Sequence, residues 1–187
     1  MDEGISTPRA VWTIGHSTRP LDEFLGLLAE SGIQTLVDVR AFPGSRMHPQ
    51  YKKENLEASL PAAGIEYVHL PELGGRRKPR EDSPNTAWRH PSFRAYADYM
   101  ETPAFRQAIR RLEEIAATRR ACVMCSEAVW WRCHRSLIAD CLKSRSWDAR
   151  HIVGPGSVKE HPYTQPARIV DGSLTYRLPL ESMFAEE

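Results

Sequence analysis

The sequence predicts a single α/β domain, a mainly parallel sheet with helices on both faces and a C-terminal β-hairpin. Three observations carry this reading. Five short β-rich runs alternate with helical stretches across residues 11–153, the pattern of strands joined by crossover helices. A length of 187 residues suits one compact domain with a sizeable core. The tail "ARIVDGSLTYRL" (167–178) reads as two β-rich runs around Asp171-Gly172, a hairpin signal. Residues 1–10 are expected to be a flexible N-terminus, 11–153 the α/β domain, and 154–187 an extension packed on the same domain.

Each element has its own signal. "VWTIG" (11–15) is a first strand, and "STRP" (17–20) offers N-cap residues with a proline just inside the next helix. That helix puts Leu21, Phe24, Leu25 and Leu28 on one face and stops near Gly32. "TLVDV" (35–39) is a second, buried strand. Residues 51–63 form a weaker helix carrying Leu56 and Leu60, with Pro61 in its last turn and Gly64 after it. "IEYVHL" (65–70) is a third strand. The long polar loop 71–92 points to function or disorder. Helices follow over 92–101 and 103–118, the second with Thr102 as N-cap and Pro103 at its first position. Phe105, Ile109, Leu112 and Ile115 are its core face. "ACVMC" (121–125) is a fourth strand, 133–144 a helix and "ARHIV" (149–153) a fifth strand.

Apolar residues make up 41% and charged residues 26%, ordinary for a globular chain. Lys+Arg 25 against Asp+Glu 24 does not indicate a generic polyanion binder, although "GGRRKPR" (74–80) is a local basic cluster. No stretch is apolar and long enough for a bilayer, and the N-terminus lacks signal-peptide features. Cys122, Cys125, Cys133 and Cys141 all fall within twenty residues. A secreted disulfide framework spreads its cysteines, so the expectation is a cytoplasmic protein with reduced thiols and no membrane association.

In open parallel sheets ligands bind beyond the carboxyl ends of the strands. Strand one exits into Gly15-His16-Ser17, strand two into Asp38-Val39-Arg40, and strand three into His69 and Glu72-Leu73-Gly74-Gly75. Strand four exits into Cys125-Ser126-Glu127, and strand five into His151. Reactive side chains therefore gather at one rim, which argues for an enzyme.

Several chemistries compete there. Glu127 can activate water or stabilise an oxocarbenium ion, with Asp38 or Glu72 as a second carboxylate; the bland alternatives are an Asp38 pair with Arg40 or Arg135 and a loop cap from Glu72. His16 can serve as acid, base or donor, or simply make a structural hydrogen bond. Cys125 and Cys133 lie near a helix N-terminus and cations, where a thiol pKa falls, whereas Cys122 and Cys141 read as core residues. The spacing C-x2-C-x7-C-H invites zinc, but strand alternation sends Cys122 and Cys125 to opposite faces. A set of Cys125, Cys133, His134 and His16 remains geometrically possible. The phosphatase pattern C-x5-R is missed, because Trp131 stands six residues after Cys125.

Five blocks resemble a known family: "TIGHS" (13–17), "LVDVR" with a following proline and Ser45 (36–45), "HLPELGG" (69–75), "MCSE" (124–127) and "CHRSLIAD" (133–140). Over roughly residues 11–153 the chain is similar to the bacterial and archaeal family catalogued as domain of unknown function 488. The resemblance implies a compact α/β domain and carries an association with excision of bases from DNA. One departure is "AVWWR" (128–132), where the family pattern has lysine or proline.

The resulting expectation is a hydrolase of an N-glycosidic bond, a DNA glycosylase acting on a damaged or unusual base, with DNA as partner. Glu127 is its key carboxylate, supported by Asp38 or Glu72. Arg40, Arg135 and the 76–80 cluster, Arg76 and Arg77 included, grip phosphates, while Trp130 or Trp131 stacks on an extruded base. Ser45, Gly74, Gly75, Cys133 and His134 complete the substrate site. A thiol-dependent enzyme (sulfurtransferase or redox) using Cys125 and Cys133 is one alternative, and a non-catalytic nucleic-acid-binding module another. No cofactor and no metal are assigned.

Overall fold

The computed structural model describes residues 9–179. Most of the expected flexible N-terminus (1–8) and the last residues (180–187) lie outside the described residues. In chain order the elements are β1 (Ala10–Gly15), α1 (Leu21–Glu30), β2 (Thr35–Asp38), α2 (Lys53–Ala62) and β3 (Glu66–His69). Then come α3 (Pro91–Met100), α4 (Pro103–Thr118), β4 (Ala121–Cys125), α5 (Arg135–Ser144) and β5 (Asp148–Gly154). Three short strands close the chain: β6 (Ser157–Glu160), β7 (Arg168–Val170) and β8 (Ser173–Thr175).

The main sheet has the order β3-β2-β4-β1-β5-β6. Its first five strands are parallel, and β6 returns antiparallel along β5. Period-two alternation divides the core between the two faces. On one face Trp12, Ile14, Leu36, Cys122 and Met124 meet Phe24, Leu28, Leu56 and Leu60 of α1 and α2. On the other Val11, Val37, Val123 and Cys125 meet Tyr96, Phe105, Ile109, Leu112 and Leu137 from α3, α4 and α5. Cys122 and Cys125 thus do sit on opposite faces. Neighbouring strands β1 and β4 send their chains to helices on opposite faces, so a crevice opens between their carboxyl ends.

Local differences from the sequence reading have local causes. Pro20 itself is the N-cap of α1, without a side-chain cap, and Leu27 rather than Leu25 takes the buried position. The helix expected from residue 133 starts at Arg135, because a 3-10 turn (Trp130–Arg132) leaves Cys133 extended. Thr102 caps α4 by accepting from the Phe105 amide. The loop after β3 is ordered: Tyr96 donates to the Leu73 carbonyl at 2.8 Å, and Arg77 lies over the Tyr99 ring. β6 was not legible in the sequence. The β7–β8 hairpin turns at Asp171 and Gly172, with φ of 49° and 74°, the left-handed pair of a two-residue hairpin turn. Among the described residues no helix is long and apolar enough to cross a membrane.

Candidate active site

A cleft of about 1060 Å³ lies over the β1–β4 crevice. His16, Arg40, Ser45, Gly75, Arg76, Cys125, Glu127, Cys133 and His134, all expected site residues, line it. The two loops that build its floor are tied together, since the His16 and Ser17 amides donate to the carbonyls of Cys125 and Ser126. Gly15 permits that approach: a Cβ there would collide with the Glu127 carbonyl. Gly75 does the same on the facing wall, where a Cβ would stand 2.5 Å from His134 Nδ1.

One half of the floor is an ion pair. Arg40 donates from Nε to Asp38 Oδ1 (2.9 Å) and from Nη2 to Oδ2 (2.6 Å), and Tyr67 donates to the same Oδ2 (2.7 Å). Asp38 is fully buried, so it is a holder of Arg40 and not a second catalytic carboxylate. His16 donates from Nδ1 to the Ser17 carbonyl, accepts from Arg40 at Nε2 (3.3 Å) and stacks on Tyr51. Burial lowers its pKa to about 4, so it is neutral at ordinary pH.

The other half is the thiol pair. Cys125 Sγ, Cys133 Sγ and a ring nitrogen of His134 all lie within 4.8 Å of one another. Arg135 is 1% exposed and donates from Nε to Cys133 Sγ (3.4 Å), from Nη1 to Thr13 Oγ1 (3.2 Å) and from Nη2 to the Glu127 carbonyl (2.6 Å). None of these partners is a carboxylate. Hydrogen bonding from the Cys125 thiol and the Arg135 charge, working against burial, lower the Cys133 pKa to about 6. The same hydrogen bond, together with burial, pushes Cys125 up. Burial pushes His134 down, leaving it a neutral imidazole. A soft metal could in principle be held by these three donors. Against that stands charge: an added cation would meet Arg135, which already supplies the thiolate with a counter-charge.

Several expected residues stand elsewhere. Glu72 is exposed outside the cleft lining, and its carbonyl accepts from Arg77 and Tyr99. Arg77 is spent on that carbonyl, on the Gly74 carbonyl and on the Tyr99 ring, so it is not a free phosphate grip. Gly74 is buried behind the lining. Arg135 lies beneath the floor and serves the thiol instead of a substrate phosphate. Trp130 stacks flat on His151 at 4.3 Å, and the exposed Trp131 sits edge-on against Trp130; neither lines the cleft. Conversely, Arg46, His48 and Arg132 also line the cleft. Isolated basic residues in loops carry no sequence signal that marks them for one cleft. Among the described residues Glu127 is the single carboxylate in the lining, with its side chain exposed.

The family model for the domain of unknown function DUF488 matches residues 20–142. The chain belongs to this family. The matched segment holds β2, β4, Arg40, both cleft thiols and Arg135, while β1, β5 and the C-terminal strands fall outside it. No curated protein and no solved structure matches the chain.

Proposed function

We propose that this chain is a thiol-dependent enzyme in which Cys133 is the nucleophile and Cys125 its partner, acting on an anionic substrate. The observation that carries the reading is Arg135, a buried cation with no carboxylate partner among the described residues and with its Nε on Cys133 Sγ. A buried charge is held only when compensated, and the Cys133 thiolate is the compensation at hand. Three lining arginines besides the Asp38-paired Arg40, namely Arg46, Arg76 and Arg132, against one carboxylate favour a substrate with negative charge.

The first step is attack of the Cys133 thiolate on an electrophilic sulfur of the substrate. A sulfur–sulfur bond forms, the substrate's own bond to that sulfur breaks, and the electron pair leaves on the displaced anion. In sulfur transfer Cys133 keeps the sulfur as a persulfide for an acceptor. In thiol–disulfide exchange Cys125 loses its proton, attacks Cys133 and releases the substrate thiolate, so the protein dithiol is oxidised as the substrate disulfide is reduced. Iodoacetamide alkylation from pH 5 to 9, mapped by mass spectrometry, tests the assignment. One fast thiol, Cys133, with a midpoint near 6 is the expected result; four slow thiols with ordinary midpoints would overturn it. Cys125→Ser then separates the two routes, sparing transfer and stopping exchange.

A second reading, base excision from DNA, is favoured by Glu127 at the rim beside Arg46, Arg76 and Arg132. Duplexes carrying uracil, hypoxanthine, methylated or etheno-purines would then yield abasic sites with wild type and Cys133→Ser, and none with Glu127→Gln.

A further inference from the structure

Beneath the cleft a line of buried hydrogen bonds leads from Arg135 to a carboxylate farther along α5, that of Asp140. Thr13 Oγ1 accepts from Arg135 and lies 2.7 Å from His151 Nδ1. His151 Nε2 is 2.9 Å from His161 Nδ1, and His161 Nε2 is 2.9 Å from Asp140 Oδ1. Thr13, His161 and Asp140 are fully buried and His151 is 1% exposed. The Asp140 carboxylate also accepts from the Thr164 amide and hydroxyl and from Tyr176.

With both imidazoles neutral, the chemistry of the two ends sets the direction of every bond. Arginine can only donate and an ionised carboxylate can only accept. With Arg135 donating to it, the Thr13 hydroxyl is free to donate to His151 Nδ1. His151 then carries its proton on Nε2 and donates to His161 Nδ1, which leaves the His161 proton on Nε2, facing Asp140. Reversing the middle would turn a bare nitrogen of His161 toward the carboxylate or require an imidazolium in the core. Burial, with His161 and Arg135 adding to it, lowers the His151 pKa to about 3, in keeping with a neutral ring.

We propose that Thr13, His151, His161 and Asp140 form a positioning relay that holds the Arg135 guanidinium against Cys133. The relay rests on the reading of Cys133 as nucleophile. Four hydrogen bonds separate Arg135 from Asp140. The carboxylate therefore orients the guanidinium through neutral groups without competing with the thiolate for its charge. A direct ion pair would neutralise Arg135, as Asp38 neutralises Arg40. The relay gives the tail a role, because His161, Thr164 and Tyr176 lie after β6 and beside β8. Trp130 gains one too: stacked on His151 at an interplanar angle of 2°, it covers the relay.

Two measurements test this. The titratable and charged groups acting on Cys133 are Cys125, Arg135 and the adjacent His134. Thr13→Val removes the first link while leaving all three. The alkylation midpoint of Cys133 is expected to rise by about one pH unit, a tenfold weaker bias toward thiolate. Thr13→Ser, which keeps the hydroxyl, restores it, and Asp140→Asn moves it the same way by less. In the wild-type protein 15N NMR should find both His151 and His161 protonated on Nε2, a readout independent of any variant's folding. An unmoved midpoint in folded Thr13→Val, or an Nδ1 proton on either ring, overturns the relay and leaves the nucleophile standing. A wild-type midpoint in the ordinary thiol range overturns both.

Discussion

Two buried arginines, one lining the cleft and one beneath its floor, are treated in opposite ways. Arg40 is clamped by both oxygens of Asp38, so its charge is matched within its own loop. Arg135 touches a thiol, a hydroxyl and a carbonyl, and its carboxylate is four hydrogen bonds away. Arg40 is scaffolding, and through its guanidinium it also steers His16. Arg135 keeps its charge beside Cys133, with a thiol where Arg40 has a carboxylate. What distinguishes a structural cation from one that activates a neighbour is whether a carboxylate has already taken it.

The comparison can be broken most severely at Asp38. Asp38→Asn leaves Arg40 buried without its counter-ion and should lower unfolding stability by about 3–5 kcal/mol, read by urea denaturation. The Cys133 alkylation midpoint should stay put; a loss below about 1 kcal/mol would show that the pair is not what holds this wall.

The next effect is a pH dependence that belongs to the Arg135 side. Cys133 has a folded pKa of about 6 against 9.0 for an ordinary thiol. Between those values the folded state has released a proton that the unfolded chain still holds, so stability rises with pH. The gain is complete above pH 9 and is lost as pH falls through 6. The full slope is about 1.4 kcal/mol per pH unit, and Cys133→Ser should flatten it. Cys125, shifted upward, acts only above its unfolded value, while His16 and His151, shifted downward, act below 6.5. A wild-type profile as flat as the variant's would contradict the thiolate.

Gly75→Ala tests the wall facing the thiols. Its new Cβ presses on the His134 ring, and overpacking of this kind costs about 1–3 kcal/mol. Cys133 alkylation should change with it, because His134 cannot move without disturbing the sulfur 3.6 Å from its Nδ1. Unchanged stability and reactivity would mean that the loop yields and the ring does not.

The smallest stability change sharpens the contrast most. Arg135→Met removes a cation that no carboxylate needs, so stability should fall by less than about 2 kcal/mol. Alkylation of Cys133 at pH 7 should nevertheless slow, because the thiol pKa rises when only the Cys125 hydrogen bond is left to hold it down. Equal damage from Asp38→Asn and Arg135→Met would erase the distinction between the two arginines.

Much of the architecture was legible in the chain. Helix α4 and strand β4 stand where caps and apolar runs put them, because Thr102-Pro103 and "ACVMC" are strong local signals. The gathering of His16, Arg40, Cys125 and Glu127 at one rim was legible too, since all parallel strands point their carboxyl ends the same way. The relay was not. Thr13 reads as an interior strand residue, Asp140 as a helix residue, and His161 lies in a stretch without periodicity. Their meeting depends on β6 turning back along β5, a pairing announced by no hydrophobic pattern in "SVKE".

By itself the sequence determined the alternation of strands and helices, the doubly covered parallel sheet, the family and the rim at which the chemistry collects. These follow from periodicity and local capping, which are properties of neighbouring residues. Only the tertiary structure decided which arginine is paired with a carboxylate, which thiol meets Arg135 and that Asp38 and Glu72 do not join Glu127 in the cleft. Those outcomes depend on burial and on partners up to 138 positions apart along the chain, such as Thr13 and His151. Charge in a protein interior is settled by what surrounds a group in space.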